Sequence, residues 1–174
     1  MFLIKFNNSV YEKYLIDVLK QKTLPVIFST NSKYFAQIDF NIQPKEIILK
    51  NEKNKQRILL PFLVENLSSC LMSLLSDYLV IVQSAQYFPI NNTLIFKEKK
   101  IVLGDIHNKI MTHLILNKSS GIDKFKLYQL IWPKDKDIQI NKLDTHLSNF
   151  KNVLISNLSF EINFSSSRGL IKLN

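Results

Sequence analysis

Along the second half of the chain the spacing of apolar residues changes in a fixed order. Thr93-Leu94-Ile95-Phe96 and Lys100-Ile101-Val102-Leu103 are short apolar runs of strand length. After Gly104-Asp105, residues Ile106, Ile110, Met111, Leu114 and Ile115 recur at helical spacing, and Asn117 to Gly121 ends that helix. Asp123 is placed to cap a second helix, Lys124 to Trp132, which Pro133 cannot continue. Leu143, Leu147, Phe150 and Leu154 stand at i, i+4, i+7 and i+11 and define a third helix, about Asn141 to Leu154. Leu158 to Phe164 and Gly169 to Leu173 then alternate as two strands, with the loop Ser165-Ser166-Ser167-Arg168 between them.

The first half is patterned differently. Phe2 to Phe6 reads as a strand, followed by a helix that Ser9 caps, with Val10, Tyr14 and Val18 on one face. Leu24 to Phe28 is a second strand, Ile38, Phe40 and Ile42 alternate as a third, and Glu46 to Leu49 is a fourth. Asn51 to Arg57, charged and without an apolar residue, reads as a solvated turn, after which Ile58-Leu59-Leu60 resumes the core. Glu65 to Tyr78 is a helix with Leu67, Leu71, Leu74 and Leu75 on one stripe. From there Leu79 to Val82, Gln86 to Phe88 and the two runs at 93–103 form a meander, with Asn91-Asn92 and Glu98-Lys99 at its turns. Strand–helix–strand at the start implies an α/β sheet, and the change of character places a domain boundary near residue 80.

Composition narrows the classes. An apolar fraction of 46% is that of a globular chain. No apolar stretch reaches the roughly 18 to 20 residues that span a bilayer, and the start lacks the basic leader and long apolar segment of an export signal. The single cysteine, Cys70, has no internal disulfide partner and sits in an apolar helical run. A cytoplasmic protein is expected on these grounds. The net charge is +9. Residues 1–96 carry 10 basic and 7 acidic side chains, net +3, and residues 97–174 carry 13 and 7, net +6, so the shorter part is the more basic. That is mild support for a polyanion partner, since AT-rich coding also favours lysine.

In combination the residues of the second half resemble the winged-helix output domain of OmpR/PhoB-type response regulators. Leu127-Tyr128-Gln129-Leu130-Ile131-Trp132 is similar to that family's "LLxxVW", and Leu143-Asp144-Thr145-His146-Leu147 to its "VDxHI" on the recognition helix. Arg168-Gly169 before an alternating run is similar to the "RGxGYxL" of the closing hairpin, and Lys99 to Leu103 to the charged turn and strand before the first helix. The resemblance covers roughly residues 86–174 and implies a winged helix-turn-helix whose third helix enters a DNA major groove. Two departures stand out. The family continues its recognition helix with arginines, whereas here the run is Ser148-Asn149-Phe150-Lys151-Asn152, and Ile171 replaces an aromatic. The first half resembles a receiver domain in outline: Leu60-Pro61-Phe62 before a helix is similar to the receiver's "KPF". The resemblance also implies what is missing, namely the acidic magnesium-holding pair (Asn7 and Asn8 stand there), the phosphoacceptor aspartate (Lys50 and Asn51) and the lysine (Leu60).

The expected fold is therefore an α/β receiver-like N-terminal domain, residues 1–80, plus an α+β winged helix-turn-helix C-terminal domain, residues 81–174. The expected function is a DNA-binding transcriptional regulator, dimeric through its first domain and independent of phosphorylation. Lys142, Thr145, His146, Asn149, Lys151, Asn152 and Arg168 are the candidate DNA contacts. Each has a structural alternative. His146 could instead bond a neighbour within a half-buried helix face, the polar side of the third helix could be a solvated face only, and Arg168 could anchor the hairpin instead of entering a minor groove. Asp144 is expected in an internal hydrogen bond or salt bridge, with direct DNA contact as the alternative, Trp132 and Phe125 in the core, and His107 and His113 on the surface without metal-ligand spacing. With no phosphate loop, paired carboxylates or Cys/His pair, no enzyme, metal, cofactor, membrane or small-molecule substrate is expected. The alternative function is a protein-interaction module that has given up DNA.

Overall fold

The structure, a computed structural model, describes residues 2–6, 17, 26–28, 36–41, 45–51, 53–61, 63–76 and 78–174. The chain divides into two compact units, residues 1–78 and 79–174.

In the first unit, β1 (Phe2–Phe6), β2 (Val26–Phe28), β3 (Ala36–Asn41), β4 (Glu46–Lys50) and β5 (Lys55–Leu59) form one sheet in the order β2-β1-β3-β4-β5. β1 runs parallel to β2 and to β3, whereas β3–β4 and β4–β5 are antiparallel. The order is that of a common doubly wound sheet, but the last two joins are hairpins in place of crossovers. Ile38 pairs with Leu49 and Ile47 with Ile58. All four are buried on one face, where β4 and β5 meet α1 (Val64–Ser76). Leu67, Leu71 and Leu74 supply the buried stripe of α1. Asn51 ties the β4–β5 turn: its Oδ1 accepts from the N–H groups of Lys53 and Asn54, and its Nδ2 donates to the Leu74 carbonyl. The Leu60–Pro61 peptide bond is cis.

Two expectations for this unit change, and a third is not tested. The run expected as a turn over Asn51–Arg57 is a turn only at its start, because Lys55, Gln56 and Arg57 belong to an edge strand, where charged side chains face water at no loss. Leu59 does not resume the core: alternation turns it outward, 71% exposed. The helix expected from Ser9 lies outside the described residues, apart from Asp17.

The second unit opens with a four-stranded antiparallel meander, β6 (Val80–Val82), β7 (Ala85–Phe88), β8 (Thr93–Phe96) and β9 (Lys99–Val102), in chain order. The β8–β9 turn is Lys97-Glu98, one residue before the expected pair, with Lys97 at φ +54°. Then come α2 (Asp105–Leu116), β10 (Ile122–Asp123), α3 (Lys124–Ile131), α4 (Ile140–Leu158), β11 (Phe164–Ser167) and β12 (Leu170–Leu173). β12 lies between β10 and β11 and pairs antiparallel with both. One apolar core joins these elements, including Tyr87, Leu94, Ile110, Met111, Leu127, Leu143, Phe150, Leu154, Ile162 and Ile171. Within it the Tyr87 hydroxyl donates to Asn108 Oδ1 and shares a 2.9 Å hydrogen bond with Thr112, a buried polar cluster that is satisfied.

α4 is longer than its expected end at Leu154. It runs on to Leu158, a further buried position of the same stripe, and stops where Ser159 turns left-handed at φ +54°. The strand expected over Leu158–Phe164 therefore begins only at Phe164. The expected loop Ser165–Arg168 is also shorter: the serines are in β11, and Arg168-Gly169, at φ +49° and +78°, make a two-residue turn. Positive φ at both central residues marks the hairpin turn that matches strand twist.

Two glycines in this unit need their left-handed backbone. Gly169→Ala is expected to cost about 1 kcal/mol, because an added Cβ meets only Asp123 Oδ2 at 3.8 Å. Gly121→Ala, at φ +72° with its Cβ 3.2 Å from the Ile171 carbonyl of β12, is expected to cost more. Urea midpoints of the two variants check this order, and equal stability would contradict it.

Candidate nucleic-acid interface

α4 presents two faces because its apolar residues fall on one stripe. Leu143, Leu147, Phe150, Leu154 and Leu158 are buried, while Asn141, Thr145, Ser148, Asn149, Asn152, Ile155 and Ser156 are exposed. Every polar residue of the exposed face is neutral. The two lysines of the helix stand on its flanks, about half a turn out of phase with each other at 3.6 residues per turn, and both are half-buried.

Lys142 is committed on one flank. Its Nζ lies 2.9 Å from Asp135 Oδ2 and 4.4 Å from the centre of the Trp132 ring. Asp135 also accepts a 2.6 Å hydrogen bond from the buried Tyr128 hydroxyl. The Tyr128 bond and then Lys142 hold the Asp135 carboxyl below its usual range, and Asp135 in turn raises the Lys142 ammonium. Trp132, half-buried, lies tilted at 45° between Tyr128, 4.7 Å away, and His146, 5.3 Å away. His146 thus takes the half-buried position, as a ring in an aromatic row rather than a free surface group. Next to it His107 lies 5.2 Å from Phe150 and 6.3 Å from His146, and burial, then the neighbouring imidazole, lowers its pKa.

Lys151 is on the other flank, its Nζ 4.2 Å above the Phe164 ring at the start of β11. Arg168 is exposed at the β11–β12 turn, which is pinned to α3 by a 2.8 Å bond from the Lys124 N–H to the Gly169 carbonyl. Asp144 makes an internal salt bridge, one of the two internal bonds expected of it, 2.6 Å to Lys124 Nζ. Asp123 caps α3 by accepting from the Lys126 N–H at 3.0 Å.

No family model and no curated protein matches this chain. Among solved structures, the DNA-binding domain of E. coli CadC is similar at a TM-score of 0.47 and 13% identity, over 55% of this chain and 91% of that one. A member of a novel family of redox sensors in the streptococci, evolved from two-component response regulators, is similar at a TM-score of 0.43 and 12% identity. That likeness covers 98% of this chain and 65% of the other, so this chain spans just under two thirds of that neighbour.

The candidate residues therefore separate into three groups. Thr145, Asn149 and Asn152 share the exposed face of α4. Lys142 and His146 are packed on one flank, and Lys151 and Arg168 are cations at the other flank and at the ribbon tip. Sequence reasoning missed an open groove of about 830 Å³ beside α4, lined by Ile106, His107, His146, Asn149, Asn152 and Val153. It also placed His107 and His113 on the surface, whereas His107 is half-buried and His113 is 3% exposed. The missed signal was periodic: His107 precedes Ile110, Met111 and Leu114 by three, four and seven residues, and His113 follows Ile106 and Ile110 by seven and three. Phe125, expected in the core, is 54% exposed, because it lies on the side of α3 opposite Leu127, Tyr128 and Ile131. Among the described residues no group of three or more potential metal ligands forms, and no helix is long and apolar enough to cross a membrane.

Proposed function

We propose that the second unit is a winged-helix module that binds duplex DNA through the exposed face of α4, and that the chain is a sequence-specific transcriptional regulator. The observation that carries this reading is the long helix α4, packed along one stripe and free along the other, with hydrogen-bonding side chains outward and a cation-bearing ribbon after it. The order helix, strand, helix, helix, ribbon is the winged-helix order, in which the last helix enters the major groove. The net positive charge of residues 97–174 favours a polyanion. Lys151 and Arg168 are the proposed phosphate or minor-groove contacts, with Thr145, Asn149 and Asn152 facing bases.

The first unit is proposed as a receiver-derived homodimerisation module that works without phosphorylation. Support comes from its β2-β1-β3-β4-β5 order and from the exposed Leu59 and Leu63, which a second copy would cover. Asp39, the carboxylate within β3, is engaged by Lys50 at 2.5 Å and by Gln37, which supports independence from phosphate. A protein-interaction module remains the second reading, favoured by the neutral outer face of α4 and by Ile155, 48% exposed on it.

Fluorescence anisotropy of the full-length chain against AT-rich duplexes at several salt concentrations separates the two. DNA binding is expected to weaken steeply with salt. Lys151→Ala and Arg168→Ala are each expected to weaken it and to flatten the log–log salt slope by about 0.9 per lost phosphate contact. Unchanged affinity in both variants removes them from the contact face, and no binding at low salt leaves the protein-partner reading.

A further inference from the structure

Resting on the DNA reading above, we propose that α4 is an adenine reader: Asn149 and Asn152 recognise A·T pairs in the major groove, Thr145 packs against thymine methyls, and no base contact to guanine is made. Selecting guanine in the major groove is mainly the work of a free arginine or lysine that bonds O6 and N7 together. α4 has no arginine and two lysines. Lys142 is held between Asp135 and the Trp132 ring. Lys151 projects from the other flank over Phe164. Apart from Ile155, the outward stripe is left with carboxamides and hydroxyls.

Those carboxamides are unengaged. Asn149 and Asn152 are exposed, and neither side chain makes a hydrogen bond among the described residues. A carboxamide offers one acceptor and donors on the same short stem, which matches adenine's N6 amino donor and N7 acceptor as a pair. Guanine presents two acceptors at the same edge, and a carboxamide oxygen has no donor to meet there. Thr145 is also directed. Its Oγ1 donates back to the Asn141 carbonyl at 2.9 Å, so its methyl is the group left to face an apolar partner, and in the major groove that partner is the thymine methyl.

The spacing fits a run of base pairs. Asn149 and Asn152 are one turn apart on one face, and Thr145 lies one turn earlier. At about 1.5 Å per residue the three span about 10 Å of helix axis, or about three steps at 3.4 Å per base. One protomer would therefore read a short stretch of A·T pairs, without a required G·C pair beneath α4.

The test is selection from a randomised duplex pool with the full-length protein at moderate salt, followed by base-analogue substitution in the recovered site. A run of A·T pairs is expected. Replacing its adenines with 7-deazaadenine, which keeps pairing and removes the N7 acceptor, is expected to lower affinity roughly ten- to hundredfold. Asn149→Ala and Asn152→Ala are expected to lose preference by a similar factor while their salt slopes stay unchanged. Both positions are exposed, so circular dichroism should show the fold intact. Recovery of a site with required guanines under α4, or indifference to 7-deazaadenine, overturns the adenine reading and leaves DNA binding standing. No binding to any duplex at low salt overturns both.

Discussion

Phe150→Ala is expected to destabilise the second unit by about 3 to 5 kcal/mol, the usual cost of emptying a large core site. Phe150 is fully buried, on the stripe of α4 shared with Leu143, Leu147, Leu154 and Leu158. Its ring also lies 5.2 Å from His107, so it joins α4 to α2. A domain of ordinary size has about 5 to 15 kcal/mol in total, so this single change removes a large share of it, and the proposed DNA binding should be lost with the fold. The neighbouring Asn149→Ala removes an exposed, unbonded side chain and is expected to shift stability by less than about 0.5 kcal/mol. Trp132 is the chain's one tryptophan. It sits in the row between Tyr128 and His146, so its fluorescence in a urea titration reports this unit and not the other. A Phe150→Ala loss under about 1 kcal/mol would mean that α4 is not held by this stripe.

That pair of neighbours also marks what was legible in the sequence. Burial follows from periodicity wherever a helix is long, so the stripe from Leu143 to Leu154 could be read directly, as could the capping of α3 by Asp123. Boundaries depended on less visible things. Ser156-Asn157 have loop composition, yet α4 continues through them because Leu158 falls on the buried stripe. Three serines in a row suggest a loop, but Arg168-Gly169 close the hairpin in two residues and draw the serines into β11. β10 is two residues long and exists only because β12 returns to pair with it. No local pattern could announce it.

For the candidate site, residue types were legible and their engagements were not. Lys142 counts as a free cation in any inventory of charge. Only the fold brings Asp135, from the loop after α3, within 2.9 Å of it and puts the Trp132 ring beneath it. An apparent basic helix thus becomes a neutral outer face with cations at its edges, and for the proposed DNA contact this changes the chemistry from charge neutralisation to base reading.

Acid is expected to weaken the second unit through His113. This imidazole is 3% exposed, and its Nε2 has no hydrogen-bond partner among the described residues. Burial first, and then the Lys109 and Lys126 ammonium groups, push its pKa down to about 4. In the unfolded chain histidine titrates near 6.5. Between these values the unfolded state binds the extra proton and the folded state does not, so stability is complete above about pH 6.5 and falls as pH drops toward 4. The loss should reach about 2 kcal/mol by pH 5 and about 3 kcal/mol below pH 4. Asp and Glu titrate in unfolded chains near 3.9 and 4.3, so the interval from pH 7 to 5 belongs to the histidines. His107, whose pKa is also lowered, acts in the same direction, and the difference between wild type and a His113 variant isolates His113. His113→Gln, neutral throughout, is expected to start from a lower stability but to show a flatter urea midpoint between pH 7 and 5. In the wild-type chain, NMR should show the His113 imidazole resonance unmoved to about pH 5. Parallel midpoint curves for the two proteins, or a His113 resonance that titrates near 6.5, would mean that the ring is hydrated in place and that acid acts elsewhere.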